Sequence, residues 1–234
     1  MPFDLSLGYL LMVMLPGLVL SGLTSWRVRS AFSRYSRVPS YVGMSGAQAA
    51  HLMLERAGIH DVRVVPTSGF LSDHYNPTNK TLALSQSVFQ ETSLAAIGVA
   101  CHEAGHAIQH AEGYAPMWLR SAVAPAASIG SNFGYFVIFL GMIFQSGMLV
   151  LVGVALFSMM LLFQIITLPV EFDASARAKR LAFEHGIVRE DERRGVAAVL
   201  NAAALTYVAA ALTTALTVAY YLLRASQMGS RSDD

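Results

Sequence analysis

Charged side chains are scarce in this chain of 234 residues: aspartate, glutamate, lysine and arginine make up 13% of it, against 54% hydrophobic residues. Soluble domains carry roughly 25% charged residues, so the composition excludes an ordinary soluble protein and indicates an integral membrane protein. The formal net charge of +1 gives no reason to expect nucleic acid as a partner. Cysteine is almost absent, since Cys101 is the single one. A lone cysteine excludes an intramolecular disulfide and is typical of a reducing compartment.

Three long stretches contain no charged residue at all, namely 5–26, 121–170 and 195–223. A membrane-spanning helix needs about 20 apolar residues, so these stretches have room for one, two and one spans. The middle stretch is interrupted at Gln145-Ser146-Gly147, which favours a tight turn there. We therefore predict four transmembrane helices, near 5–23, 124–144, 148–168 and 196–223.

The basic residues are unevenly distributed along the chain. Of sixteen lysines and arginines, eight lie in 27–120 and six in 171–195. The positive-inside rule then places both segments in the cytoplasm, and four spans put both termini outside. A cleaved signal peptide is disfavoured because no basic residue precedes the first span. The predicted order is a first transmembrane segment (1–26), a cytoplasmic region (27–120), a transmembrane hairpin (121–170), a cytoplasmic helix (171–195), a fourth transmembrane helix (196–223) and a flexible tail (224–234).

The first cytoplasmic region has the pattern of a small α+β structure. A helix is predicted over 45–58, with Ser45 as N-cap and Gly58 just beyond its end. Three short strands should follow, at 62–65, 69–71 and 81–84, separated by turns at 66–68 and 76–79. They would form a small mixed or antiparallel sheet ahead of a helix over 93–111. The edge of such a sheet could pair with an extended peptide, and the end of the chain, 226–234, is expected to be disordered.

The pentapeptide His102-Glu103-Ala104-Gly105-His106 carries the chemistry of the sequence. Two histidines at i and i+4 lie on one helix face, so their imidazoles can converge on one metal ion. The glutamate beside the first histidine is placed to act on water at the remaining coordination position. Gly105 allows another backbone or a substrate to approach closely. The motif indicates a zinc hydrolase, although so short a pattern also occurs by chance.

A catalytic zinc site usually has three protein ligands and a position open to water. The residues that could supply the third are His51, His60, Asp61, Asp73, His74, His110, Glu112, Glu171, Asp173, Glu184 and His185. We favour Glu171 because it would open a helix at the end of the third span, on the same side of the membrane as the motif. From spacing alone it could equally mark the membrane boundary or favour a helix N-terminus. A fourth ligand would close the site, so His110 is expected at the surface or in support, and Cys101 as a buried small hydrophobe.

Three segments together resemble the YugP-type neutral zinc metallopeptidases, a family of bacterial multi-pass membrane proteins. They are 72–77, 94–109 and 168–175, and the resemblance extends over about 41–223. It implies a gluzincin-like site with one Zn²⁺ ion, Glu171 as the third ligand, and a location in the bacterial inner membrane. In the more distant HtpX-type proteases, an aspartate four residues after the ligand glutamate supports a ligand histidine. Here that position is Ser175 and the aspartate is Asp173, so the partners of the two histidines stay open.

The expected fold is therefore a mainly α membrane protein with about four transmembrane helices and a small α+β, zincin-like cytoplasmic region. The expected function is a zinc-dependent endopeptidase acting on membrane-associated or unfolded polypeptide, with Glu103 as general base. His74 is the first candidate for donating a hydrogen bond to the oxyanion, followed by Tyr75 and Arg177. His74 and Tyr75 could instead be turn or packing residues, and Arg177 could pair with Asp173 at i,i+4. Small residues in the last span would permit a homo-oligomer.

Two rival hypotheses remain. An intramembrane protease is disfavoured because Gln109, His110 and Glu112 follow the motif and would be costly inside hydrocarbon. A non-catalytic, zinc-stabilised membrane scaffold or interaction protein would normally use four ligands and needs no general base. The presence of Glu103 therefore favours catalysis.

Overall fold

A computed structural model describes residues 7–229 of the chain, which are mostly helical with one small sheet. In chain order the helices are α1 (Leu7–Tyr35), α2 (Gly46–Arg56), α3 (Gln86–Phe89), α4 (Leu94–Ala111), α5 (Ala115–Ile143), α6 (Gly147–Glu184) and α7 (Arg193–Gly229). The strands are β1 (Arg63–Thr67), β2 (His74–Asn76) and β3 (Thr81–Ser85).

Within the described residues, the helices α1, α5, α6 and α7 are long and apolar enough to cross a membrane. This confirms the prediction of four candidate spans, although the start of the first predicted span, at 5–6, lies outside the described residues. The predicted turn is also confirmed, because α5 ends at Ile143, α6 begins at Gly147, and Gln145 between them has a φ of 54°. Helices suit such segments because every backbone hydrogen bond is satisfied within the segment.

Two predicted helix boundaries are wrong. The helix expected to open at 171 is part of α6, which passes through Pro169 and continues to Glu184. Proline is tolerated inside a long apolar helix where the freed backbone groups find other partners, so Glu171 lies inside a helix rather than at its start. At the other end, the disorder predicted from 226 is wrong as far as Gly229, because α7 continues to that residue and the Ser226 hydroxyl donates to the Leu223 carbonyl at 3.1 Å. Residues 230–234 lie outside the described part.

The chain divides into two compact units. One comprises 7–23, 119–168 and 206–229, and its core contains Val13, Ile138, Val150 and Tyr220. Glycines let α5 and α6 pack backbone against backbone in this unit. A Cβ atom placed on Gly153 would lie 2.5 Å from the Ile138 nitrogen, so a larger residue would force the two helices apart.

The second unit comprises Thr24–Trp118 and Pro169–Leu205 and contains α2, the sheet and α4. Helix α2 begins as predicted: the Ser45 hydroxyl accepts from the Gln48 backbone, and the Gln48 side chain accepts from the Ser45 backbone. This capping box satisfies two amide groups that a helix start leaves unpaired. Helix α4 also matches its prediction, and most of its residues are buried in the core of the unit.

The sheet is mixed, in the order β1-β3-β2, with β1 parallel and β2 antiparallel to the central β3. The strand predicted at 69–71 is wrong, because Gly69 and Leu71 have φ values of 106° and 54° and form a turn instead. The strand that pairs with β3 begins at His74. The turn predicted at 66–68 is wrong in part, since Pro66 belongs to β1. Proline is tolerated there because β1 is an edge strand.

Candidate metal centre

Helix α4 positions two imidazoles side by side. Its start is fixed by the Ser93 hydroxyl, which accepts a hydrogen bond from the Ala96 backbone at 3.2 Å. His102 and His106 follow one turn apart on the same face, and their ring centroids are 4.7 Å apart. Both rings therefore point toward one small volume beside the helix.

Helix α6 brings Glu171 to that volume. The Glu171 Oε2 atom lies 3.3 Å from His102 Nε2 and 3.5 Å from His106 Nε2. The three side chains offer ligand atoms that all lie within 4.8 Å of one another, and no other group of this kind occurs among residues 7–229. Of the eleven possible third ligands, the structure thus brings Glu171 to the two histidines. Two imidazole nitrogens and one carboxylate oxygen fit zinc, with a fourth position left for water or substrate.

The site is shielded from solvent and rich in negative charge. Glu171 is 1% exposed, His106 7% and Glu103 8%. Burial lowers the pKa of His106, but its hydrogen bond to Glu171 and the charges of Glu103 and Glu171 outweigh that effect and leave the pKa raised. Two buried carboxylates therefore stabilise a positive charge at this point. The same surroundings would favour a bound cation.

Gly105 is the reason why α6 can come so close to α4. A Cβ atom at this position would lie 2.8 Å from the Ala174 carbonyl oxygen and 3.4 Å from the Ala174 Cα atom. The predicted close approach at Gly105 is thus confirmed, and the approaching backbone is that of the helix that carries Glu171. Residues 105 and 174 set the distance between the two helices that carry the candidate ligands.

Two neutral side chains hold the histidines from behind. His106 Nδ1 lies 3.0 Å from Gln109 Oε1, and His102 Nδ1 lies 3.2 Å from Ser175 Oγ. Ser175 thus occupies the supporting position that the sequence had left open. Sequence reasoning missed Gln109 as a partner of His106, although its position three residues further along the same helix was a usable signal.

Glu103 lies next to His102 in α4 and is buried. Its negative charge is one of the causes that raise the pKa of His106. The structure therefore sets a second acidic side chain beside the three candidate ligands. Its role as a general base stays a prediction at this point.

The three candidate oxyanion donors have other partners in the structure. His74 is exposed in β2, and its Nδ1 lies 2.8 Å from the Ser72 carbonyl oxygen. The Tyr75 hydroxyl lies 2.8 Å from His110 Nδ1. Arg177 forms the i,i+4 ion pair with Asp173 that was one of its two expected roles. Whether any of them meets an oxyanion stays a prediction.

Cys101 and His110, which were expected to lie outside the set of metal ligands, do so in the structure. Cys101 is fully buried, and burial raises the pKa of its thiol to about 12. His110 is exposed outside the ligand group and takes part in the contact with Tyr75. Among the other possible ligands, Asp61 pairs with Lys80 at the surface, and the Asp73 carboxylate accepts from the Ser85 backbone at 2.7 Å.

Comparison with known proteins gives one family and one relative. The sequence model of the family described as "Putative neutral zinc metallopeptidase" matches residues 10–226. The protein named "Putative membrane protease YugP" of Bacillus subtilis (strain 168) is 44% identical over 196 residues, which cover 82% of this chain and 87% of that protein. No solved structure matches. The family match includes all of α4 and the segment of α6 that carries Glu171.

Proposed function

Because the chain belongs to the family described as "Putative neutral zinc metallopeptidase", we propose that it is a zinc-dependent endopeptidase of the membrane. The observation that carries the proposal is the convergence of His102, His106 and Glu171 with Glu103 beside them. In this proposal the three residues hold one Zn²⁺ ion as a gluzincin-like set. The helix with the motif beside a small mixed sheet is what a zincin-like region requires.

Zinc would supply Lewis acidity, which makes water more acidic and polarises a peptide carbonyl. Glu103 takes the proton from the attacking water at its carboxylate and passes it to the nitrogen of the departing amine. Its burial suits this role, since the carboxylate is kept close to the reacting groups with little competing bulk water. The sequence of proton transfers leaves Glu103 ionised again after each turnover.

His74 is retained as the proposed oxyanion donor, on a condition that its own hydrogen bond sets. Its Nδ1 atom faces the Ser72 carbonyl oxygen, which can only accept a hydrogen bond. Nδ1 therefore donates there, and His74 can donate to an oxyanion from Nε2 only as the doubly protonated imidazolium.

The charge distribution supports a site at the cytoplasmic face of a bacterial inner membrane. Glu171 follows the predicted span 148–168 by three residues in the sequence. A site so near the end of a span favours polypeptide that is membrane-associated or unfolded. The four apolar helices and the membrane relative are consistent with a membrane protein of this kind.

The decisive test compares Glu103→Gln with the unchanged protein in proteoliposomes. Fluorescein-labelled casein reports hydrolysis, and mass spectrometry of the metal reports zinc per chain. Glu103→Gln should keep its zinc and lose about 10²–10⁴-fold in rate, which is the usual contribution of a general base. The matched control is Glu91→Gln, the same chemical change at an exposed residue outside the site, and it should keep both zinc and activity.

Two results would contradict the proposal. Hydrolysis that survives Glu103→Gln with zinc still bound would remove the general base from the mechanism. An unchanged protein that cleaves neither casein nor any membrane-bound peptide, and that unfolds when zinc is removed, would instead support the zinc-stabilised scaffold.

A further inference from the structure

Gln109 is the most buried polar side chain near the candidate metal centre, with no exposed surface. It makes three hydrogen bonds in a fixed arrangement. Its Oε1 atom lies 3.0 Å from His106 Nδ1, and its Nε2 atom lies 2.9 Å from the Val170 carbonyl oxygen and 2.8 Å from Asp173 Oδ2. The side chain therefore connects a ligand on α4 with the turn of α6 around Glu171.

The chemistry of these partners determines which way the amide points. A carbonyl oxygen and a carboxylate oxygen can only accept hydrogen bonds, so the Gln109 NH₂ group must face Val170 and Asp173. The amide oxygen must then face His106. An amide oxygen cannot donate, so the hydrogen of this contact belongs to His106 Nδ1. The Nε2 atom, which lies 3.5 Å from Glu171 Oε2, is then the nitrogen that faces the point where the candidate ligands converge.

Asp173 is itself held in place by charge. Its Oδ2 atom accepts from Arg177 Nε at 2.5 Å, and another guanidinium nitrogen of Arg177 lies 2.6 Å from Glu112 Oε2, at the C-terminal end of α4. Helices α4 and α6 are thus joined twice, once through Gln109 and once through the pair of Arg177 and Glu112. The acceptor that orients the Gln109 amide is itself anchored.

His102 has no comparable constraint. Its Nδ1 atom lies 3.2 Å from Ser175 Oγ, and a hydroxyl group can either donate or accept. The contact therefore orients the ring without determining which nitrogen carries the hydrogen. The two histidines of the motif differ in this respect.

We infer that Gln109 is a positioning residue that fixes both the ring orientation of His106 and the nitrogen that it presents to a metal ion. This inference rests on the proposed function, since it assigns Gln109 a role at the same site. Outer-shell partners of this kind usually matter about 10–100-fold for metal affinity. Gln109 is neutral, so it orients the ligand without adding a third negative charge to the site.

The test measures zinc affinity by competition with a chelator, in the full-length protein in detergent and without substrate. Gln109→Met keeps the length of the side chain and removes the acceptor, so zinc affinity should fall about 10–100-fold. Ile97→Val is the matched control, since Ile97 is fully buried in the same helix. It should bind zinc as the unchanged protein does. Ser175→Ala should lose less affinity than Gln109→Met.

A pair of charge changes separates hydrogen bonding from packing. Gln109→Glu keeps an acceptor for His106 but sets a carboxylate against Asp173, so zinc affinity should fall. Adding Asp173→Asn returns a donor to the contact and should recover about tenfold of the loss, which lies within the range that outer-shell partners contribute. The variants have nearly equal volumes, so a packing role predicts no such recovery. This pair also keeps the test decisive if Gln109→Met does not fold.

Unchanged zinc affinity in Gln109→Met, or no recovery in the double variant, would overturn the role of Gln109. A protein that binds zinc but hydrolyses no polypeptide would overturn the proposed function. The zinc affinities of the variants would still test the positioning role of Gln109. A protein that binds no zinc would overturn both.

Discussion

Each ligand-type histidine has a neutral partner behind it, Gln109 for His106 and Ser175 for His102. The negative charge of the site comes from Glu171, which faces both rings, and from Glu103 beside them. The partners behind the rings are thus neutral, and the negative charge lies on the side that faces Glu171. A cation would be stabilised on that side. The identities of His102, Glu103 and His106 could be predicted from their spacing, since helical geometry fixes which side chains share a face.

The contacts that join α4 to α6 around the histidines could not be predicted, because they connect residues far apart in the sequence. Ser175 reaches His102 across 73 positions, and Gln109 reaches Asp173 across 64. The pairing of Arg177 with Asp173 was predictable because it is local, four residues apart in one helix. Local contacts follow from the helical period, whereas contacts between α4 and α6 follow from their packing.

At the residue scale, Cys101 should be chemically inert in the folded protein. It is fully buried, and its thiol pKa is raised to about 12, so the reactive thiolate is nearly absent at pH 8. Iodoacetamide should leave Cys101 unmodified in the native protein and alkylate it completely in denaturant, as read by mass spectrometry. The positive control is Tyr41→Cys in a Cys101→Ala background, because residue 41 is 76% exposed. Rapid native labelling of Cys101 would show that α4 opens or packs differently.

At the scale of the elements, the site depends on how closely α6 approaches α4. The contact is made by backbone at Gly105 and Ala174, and Glu171 lies one turn before Ala174 in the same helix. A small outward shift of α6 at this point would carry the carboxylate away from both imidazoles. The short distance between the two helices is therefore a requirement of the site as well as of the core.

Gly105→Ala should consequently weaken both folding and metal binding. The added methyl group would meet the Ala174 carbonyl oxygen at 2.8 Å, and such overpacking costs about 1–3 kcal/mol of unfolding free energy. The temperature of thermal unfolding in detergent and the affinity for zinc should both fall. Gly22→Ala is the control, since a Cβ atom there meets nothing within 4 Å, and helix propensity favours alanine over glycine. Equal behaviour of the two variants would contradict the close packing.

Helices and strands could be predicted where the local sequence has a strong signal. They could not be predicted where tertiary contacts determine the structure. Charge-free stretches located the long helices, but not their ends, because α6 continues through Pro169 to Glu184. The capping box of Ser45 and Gln48 is a local signal, and α2 begins where it predicts. The strand expected at 69–71 failed, since the apolar residues there lie in a turn with positive φ angles at Gly69 and Leu71. An apolar triplet alone does not separate a strand from such a turn.

At the scale of the whole molecule, the uneven distribution of arginine and lysine predicts which side of the membrane each segment occupies. In a Cys101→Ala background, Phe144→Cys should react with a membrane-impermeant maleimide in intact cells, because residue 144 directly precedes the predicted outside turn at 145–147 and is 68% exposed. Tyr41→Cys lies in the predicted cytoplasmic region and should react only after lysis. The reverse pattern would place the candidate metal centre outside the cytoplasm.

The central claim is that His102, His106 and Glu171 hold one zinc ion, and X-ray absorption at the zinc edge of the purified protein tests it most directly. The account predicts one zinc per chain with two imidazoles and only nitrogen or oxygen ligands, at about 2.0–2.2 Å. Glu171→Ala should reduce the zinc content, and the spectrum should show no sulfur ligand from the single cysteine. A sulfur ligand at about 2.3 Å, a third imidazole, or an unchanged spectrum in Glu171→Ala would contradict it.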